Sequence, residues 1–181
     1  MITRDHAVAA QSRLTINAAL DAPELASANV STVVSSLTTV PIVVERAMWW
    51  PVGNWYEAHN SSGETVTGPR WAMAEGESGG ADGAQTYVLL ANTSAFAGAA
   101  RVTLLFEDGT TAMRDVALPA NSRTNVDIQT SFTAAANRRY GVLVESLGAT
   151  PAELVVERAM YTNANGVIWG AGTNALATKL P

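Results

Sequence analysis

The stretch Val43-Val44-Glu45-Arg46-Ala47-Met48-Trp49 returns as Val155-Val156-Glu157-Arg158-Ala159-Met160-Tyr161, six identities in seven at an offset of 112. A periodic sequence restricts a fold to units that stack, pair or complete one another, so this repeat constrains the chain more than its composition does. Arg4-Asp5 answers Arg114-Asp115, and Ser12-Arg13 answers Ser122-Arg123, both at an offset of 110. A two-residue insertion between Arg123 and Glu157 accounts for the change. Residues 33–36 (VVSS) likewise answer residues 143–146 (LVES). A chain of 181 residues therefore holds about 1.6 copies of a repeat of about 112 residues. The expected organisation is residues 1–70 as the second half of a β repeat, packed on or completed by the next unit, and residues 71–181 as a complete sandwich-like repeat.

Within that period the local patterns are those of strands. Residues 85–91 (QTYVLLA) are rich in β-formers and bounded by Gly83 and by Asn92-Thr93-Ser94. Residues 100–106 run into Asp108-Gly109 and residues 110–118 run out, which predicts a hairpin with a type I′ turn because both turn residues tolerate positive φ. Further strands are expected at residues 123–128, 142–146 and 154–160, with counterparts at 14–17, 31–36 and 42–49. The alanine-rich segments 17–28 and 131–139 hold one or two helical turns at equivalent places, and residues 77–83 (ESGGADG) read as a flexible loop and hinge. Short strands with frequent turn signals indicate an all-β chain of immunoglobulin-like sandwich units.

Composition narrows the chemistry. A net charge of −5 argues against phosphate backbones, so no nucleic-acid partner is expected. With no cysteine and two histidines, thiolate nucleophiles are absent, ligands for a metal are few, and neither metal nor cofactor is expected. No apolar run reaches the roughly 18 residues of a membrane helix, so the chain reads as soluble with no membrane insertion. Residues 1–10 (MITRDHAVAA) are too polar for a signal peptide.

Two groups of residues invite a function. Neighbouring strand residues face opposite ways, so Glu45 and Arg46 cannot pair with each other within one strand. Glu45, Arg46, Glu157 and Arg158 are expected in structural cross-strand or inter-unit ion pairs, such as Glu45 with an arginine of the neighbouring unit. A catalytic alternative groups Glu45, Glu57, Glu75 and His59 in a glycosidase-like hydrolase, which needs two carboxyls at a set separation. No Gly-x-Ser-x-Gly elbow is present, and the other reading of His59 is a hydrogen-bonding loop residue. Trp49, Trp50, Trp55, Tyr56 and Trp71 concentrate four of the five tryptophans in one segment. Such rings either plug the end of a sandwich and the joint between units, or present apolar faces with polar edges to a sugar or a protein. The second copy has Tyr161-Thr162-Asn163 instead, so a function resting on these rings belongs to the first copy or to the interface.

Taken together, residues 43–50 (VVERAMWW), 71–76 (WAMAEG), 86–92 (TYVLLAN), 108–111 (DGTT) and 119–123 (PANSR) resemble a repeat found in tandem in large secreted or cell-surface bacterial proteins. The resemblance spans nearly the whole chain, beginning mid-repeat. It implies a sandwich-like module with no assigned enzymatic activity and an extracellular or surface location. It also implies that the last copy is a degenerate array terminus, with Asn174 standing where the repeat carries a histidine. The expected function is a noncatalytic module for structural spacing, adhesion or protein contact. The alternatives are a carbohydrate-binding module using the tryptophans and the hydrolase above. A glycan or another surface protein is the expected partner, with homo-oligomerisation through the incomplete repeat.

Overall fold

Along residues 85–92 the side chains alternate, Val88 and Leu90 turning one way and Tyr87 and Leu89 the other, and both faces are covered. A strand apolar on both sides must lie inside layered structure. The computed structural model describes residues 1–50 and 57–181. It divides into two units, Met1–Val33 and Val34–Pro181. The expected boundary between residues 70 and 71 falls inside a strand of the second unit.

The first unit holds one short helix, α1 (Ala18–Asp21), and a 3-10 turn at Pro23–Leu25. Asn17 caps α1, its side-chain oxygen accepting from the backbone N–H groups of Ala19 and Leu20. No strand is present in it among the described residues.

The second unit opens with a hairpin, β1 (Glu45–Trp50) and β2 (Glu57–Ser62), which forms a sheet of its own. Then follow β3 (Arg70–Met73), β4 (Glu77–Ser78), β5 (Gln85–Asn92), β6 (Gly98–Phe106), β7 (Thr111–Leu118) and β8 (Ser122–Asp127). A short helix α2 (Ile128–Ser131) and a 3-10 turn at Thr133–Ala135 lead to β9 (Arg138–Ser146), β10 (Leu154–Ala164), β11 (Val167–Leu176) and β12 (Thr178–Lys179). One sheet runs in the order β11-β10-β5-β8, the other β12-β3-β9-β6-β7 with β4 also on β9, and every pairing is antiparallel. The fold is an all-β antiparallel sandwich. Its core interleaves Val88, Leu90, Val126, Leu154 and Val156 from the first sheet with Trp71, Val102, Leu104, Leu118, Val142 and Val144 from the second. Ile128, Phe132 and Ala135 join that core from the connection after β8.

Several local expectations change. The β6–β7 turn is not type I′: Gly109 alone has positive φ, and its N–H donates to the Phe106 carbonyl at 3.0 Å. That is a type I turn closed by a left-handed glycine, the three-residue hairpin solution. Residues 77–83 form β4 and a glycine turn tied by paired bonds of 2.7 Å between Gly79 and Ala84, with the Gly80 N–H donating to Asn137. Strands expected at 14–17 and 31–36 are not formed, and that at 42–49 begins only at Glu45. Their counterparts in the second copy pair with β3, β5 and β6, and the first copy has no such neighbours.

Candidate functional site

β10 carries the second VVERAM. Leu154, Val156 and Arg158 turn into the sandwich, while Glu157, Ala159 and Tyr161 turn outward. The outer face becomes a small second core of Leu89, Ala159 and Tyr161, with Tyr87, Trp169 and Trp50 packed on it. The β1–β2 hairpin covers this face. Arg46, Met48 and Trp50 of β1 share one side with His59 of β2, because Met48 stands opposite His59 in the register. Arg46 Nη2 lies 2.5 Å from Glu157 Oε1, and Asn174 Nδ2 donates to the same oxygen at 2.7 Å. Trp50 Nε1 donates to the Trp169 carbonyl at 2.8 Å, and its ring meets Tyr161 edge-on at 5.4 Å. Trp169 stacks on Tyr161 at 4.8 Å. Aromatic pairs at such spacings add about 0.5–1.5 kcal/mol each beyond burial. The Arg46 side chain is 39% exposed, so water screening holds the ion pair to about 1 kcal/mol or less.

The four charged residues of the repeat therefore have separate fates. Arg46 meets Glu157 of the other copy. Arg158, almost wholly buried, meets Glu75 at 2.6 Å, with Glu75 in the turn between β3 and β4. Glu45 accepts from Asn60 Nδ2 at 3.0 Å and has no arginine partner among the described residues. Asn60 and Asn174 are counterparts, since Ala47 stands opposite the first and Ala159 opposite the second. The same register puts Thr173, not Asn174, in the place of His59, which corrects the expected alignment of the last copy.

Glu45 and Glu75 do not converge with His59. Glu45 lies on the hairpin side opposite His59. Glu157 and Arg158 face opposite sides of one sheet, so the sheet separates Glu75 from the hairpin joint. Glu57 stands opposite Trp50 in the register and so shares the side of the hairpin that carries His59, two positions away in the same strand. His59 sits in a strand, not a loop, with its ring 5.3 Å from Trp50 and 6.2 Å from Tyr161. Both of its ring nitrogens are buried without a hydrogen-bond partner among the described residues. No group of three or more His, Asp or Glu with metal-binding geometry occurs among the described residues. A shallow polar recess lies elsewhere, lined by Glu77, Glu107, Asp108, Asn137, Arg138 and Arg139. Four of its five charged residues are already paired, Arg138 with Asp108 at 2.6 Å and Arg139 with Glu77 at 3.1 Å, so both arginines are engaged.

Of the five rings expected to bind, Trp71 is a core residue. It is wholly buried, and its Nε1 donates to the Gly68 carbonyl at 2.9 Å, so it has no face for a ligand. Trp50 is half-buried in the joint and Trp49 is 39% exposed on the outer side of the hairpin. Trp55 and Tyr56 lie outside the described residues. Trp169 and the two asparagines were not among the expected site residues. The pair Asn165-Gly166, both at positive φ, is the sequence signal for the β10–β11 hairpin that positions Trp169 and Asn174.

Burial lowers the His59 pKa below its ordinary 6.5, and the Arg46 charge lowers it further against a smaller opposing effect of Glu157. Between the lowered folded value and 6.5 the unfolded chain binds more protons, so stability rises with pH in that window. The hairpin is therefore expected to be held fully above pH 6.5 and to loosen as pH falls from there. Amide exchange of residues 45–50 and 57–62, corrected for intrinsic rates, should be faster at pH 5.5 than at 7.5. His59→Phe should abolish the difference, and equal protection at both values in the native chain would contradict it.

No protein-family model and no curated protein matches the chain. Among solved structures it is similar to the crystal structure of Thermotoga maritima 1070, with a TM-score of 0.53 and 13% identity over 62% of this chain and 94% of that one. Likeness at that identity concerns the fold alone. No helix among the described residues is long and apolar enough to cross a membrane.

Proposed function

We propose that the chain is a noncatalytic extracellular β-sandwich repeat module whose work is contact and spacing between units. The observation that carries this reading is the joint itself. The repeated Val-Val-Glu-Arg-Ala-Met supplies an arginine from one copy and the glutamate that receives it from the next, and the residues just past the motif supply Trp50 and Tyr161. Arg46, Trp50, Glu157 and Tyr161 are engaged with one another in the joint, while Glu45 and Glu75 stand on surfaces away from His59.

A second reading, glycan binding, draws on Trp49, whose ring is partly exposed beside the Asn60–Glu45 pair on the outer side of the hairpin. Titrating intrinsic tryptophan fluorescence with a panel of polysaccharides separates the two. The module reading expects no saturable change. A saturable shift that disappears in Trp49→Ala would transfer the function to carbohydrate binding. Turnover of a glycoside or ester substrate, lost in Glu45→Gln, would overturn both.

A further inference from the structure

In the complete sandwich the strands divide into a front set, β3 to β6, and a back set, β7 to β10. Every back strand pairs with front strands: β7 with β6, β8 with β5, β9 with β3, β4 and β6, and β10 with β5. The sole pairing of a back strand outside this rule, among the described residues, is β10 with β11.

Residues 1–62 reproduce the back set feature by feature wherever the feature is local. Ser12 Oγ donates to the Ala9 carbonyl at 2.7 Å, as Ser122 Oγ does to Pro119 at 2.7 Å. Gln11 and Asn121 share a positive φ, 52° and 46°. Asn17 caps α1 as Asp127 caps α2, and the 3-10 turns at Pro23–Leu25 and Thr133–Ala135 follow at the same offset. The hairpin β1–β2 begins its pairing at Glu45, just as β11 begins on β10 at Glu157. Missing are the segments whose counterparts lean on front strands. Their apolar side chains stand in water: Val8, Ile16, Val34 and Ile42 are 52%, 49%, 51% and 44% exposed. The counterparts Leu118, Val126, Val144 and Leu154 are 1%, 3%, 0% and 0% exposed. Asp5 keeps the place of Asp115, which receives Arg101 of β6 through two bonds of 2.8 and 2.9 Å.

We propose that residues 1–44 are a binding segment for a front half-sandwich, a polypeptide carrying strands of the β3, β5 and β6 type. On such a partner, residues 3–8, 12–17, 30–36 and 42–44 add as strands to its two sheets. Val8, Ile16, Val34 and Ile42 enter its core, and Asp5 receives its counterpart of Arg101. A second intact copy of this chain is not the partner, because its residues 70–106 are already paired with its own β7 to β10. The assignment stands on the equivalence of the two copies and is independent of whether the joint spaces units or binds a glycan.

The test is a chain with a second copy of residues 66–110 fused ahead of Met1, so that residue 110 leads into position 1 as it leads into 111. Hydrogen exchange is compared with that of the unfused chain. Amides of residues 12–17 and 30–36 should gain about 100-fold protection in the fusion, and Ile16→Asp with Val34→Asp should remove the gain. A tandem duplication of residues 66–181 is the folding control. Unprotected residues 12–17 and 30–36, or an insoluble fusion beside a soluble duplication, would overturn the proposal.

Discussion

Replacing Trp71 by alanine is expected to destabilise the sandwich by roughly 3–5 kcal/mol, the range for deleting a large aromatic side chain from a core. Trp71 is wholly buried among the residues that join β3, β6 and β9 to the opposite sheet, and its indole N–H is already satisfied by the Gly68 carbonyl. Truncation leaves a void that a close-packed interior fills only in part. For a unit of this size the loss corresponds to a fall in melting temperature of about 10 °C. Thermal unfolding followed by circular dichroism measures it, and Trp71→Phe, which keeps most of the ring, should lose much less. A Trp71→Ala protein with unchanged melting would place the ring at a surface and return it to the candidate binding set.

The second large effect is expected at Glu75. Arg158 is 4% exposed and its Nε has no partner among the described residues, so its guanidinium depends on the single carboxylate of Glu75. Glu75 itself is 71% exposed and gives up little hydration to form the pair. Glu75→Ala therefore strands a desolvated cation, with an expected loss of roughly 2–3 kcal/mol. Adding Arg158→Met removes the stranded charge and fills the same space, so the double variant should be more stable than Glu75→Ala alone. Urea unfolding of the two singles and the double closes the cycle. If the double variant were the least stable of the three, Arg158 would be held by something other than its charge.

The contrast between the two copies explains what was legible in the sequence. The Ser12 turn, the Asn17 cap and the 3-10 turn depend on residues within four positions of one another, and they form in the first copy as they do in the second. Strands 14–17 and 31–36 were equally plain as patterns, yet alternation declares only a capacity to pair, and the pairing needs a partner. The all-β class followed from those patterns, and so did the opposed directions of Glu157 and Arg158 in one strand. The partners did not follow. That Glu157 meets Arg46 while Arg158 meets Glu75 is set by which sheet face each side chain leaves from and by what the topology brings there. Trp71 groups with the other rings only by proximity in sequence, since it lies in a different strand, β3. The Asn165-Gly166 turn was readable and was the missing key to β11, since it folds Trp169 and Asn174 back onto the motif.

The edge pair of β3 and β12 decides how the sandwich would bear a mechanical load. Trp71 stands opposite Lys179, Ala72 opposite Thr178, and the Leu180 N–H donates to the Arg70 carbonyl at 2.9 Å. The chain thus enters and leaves the sandwich side by side at one corner. Tension applied at residues 70 and 180 pulls those antiparallel strands apart across their ladder, so their bonds carry the force one after another. The edge would open like a zip at low force, and β5, β6 and β9 would stay unloaded until it had.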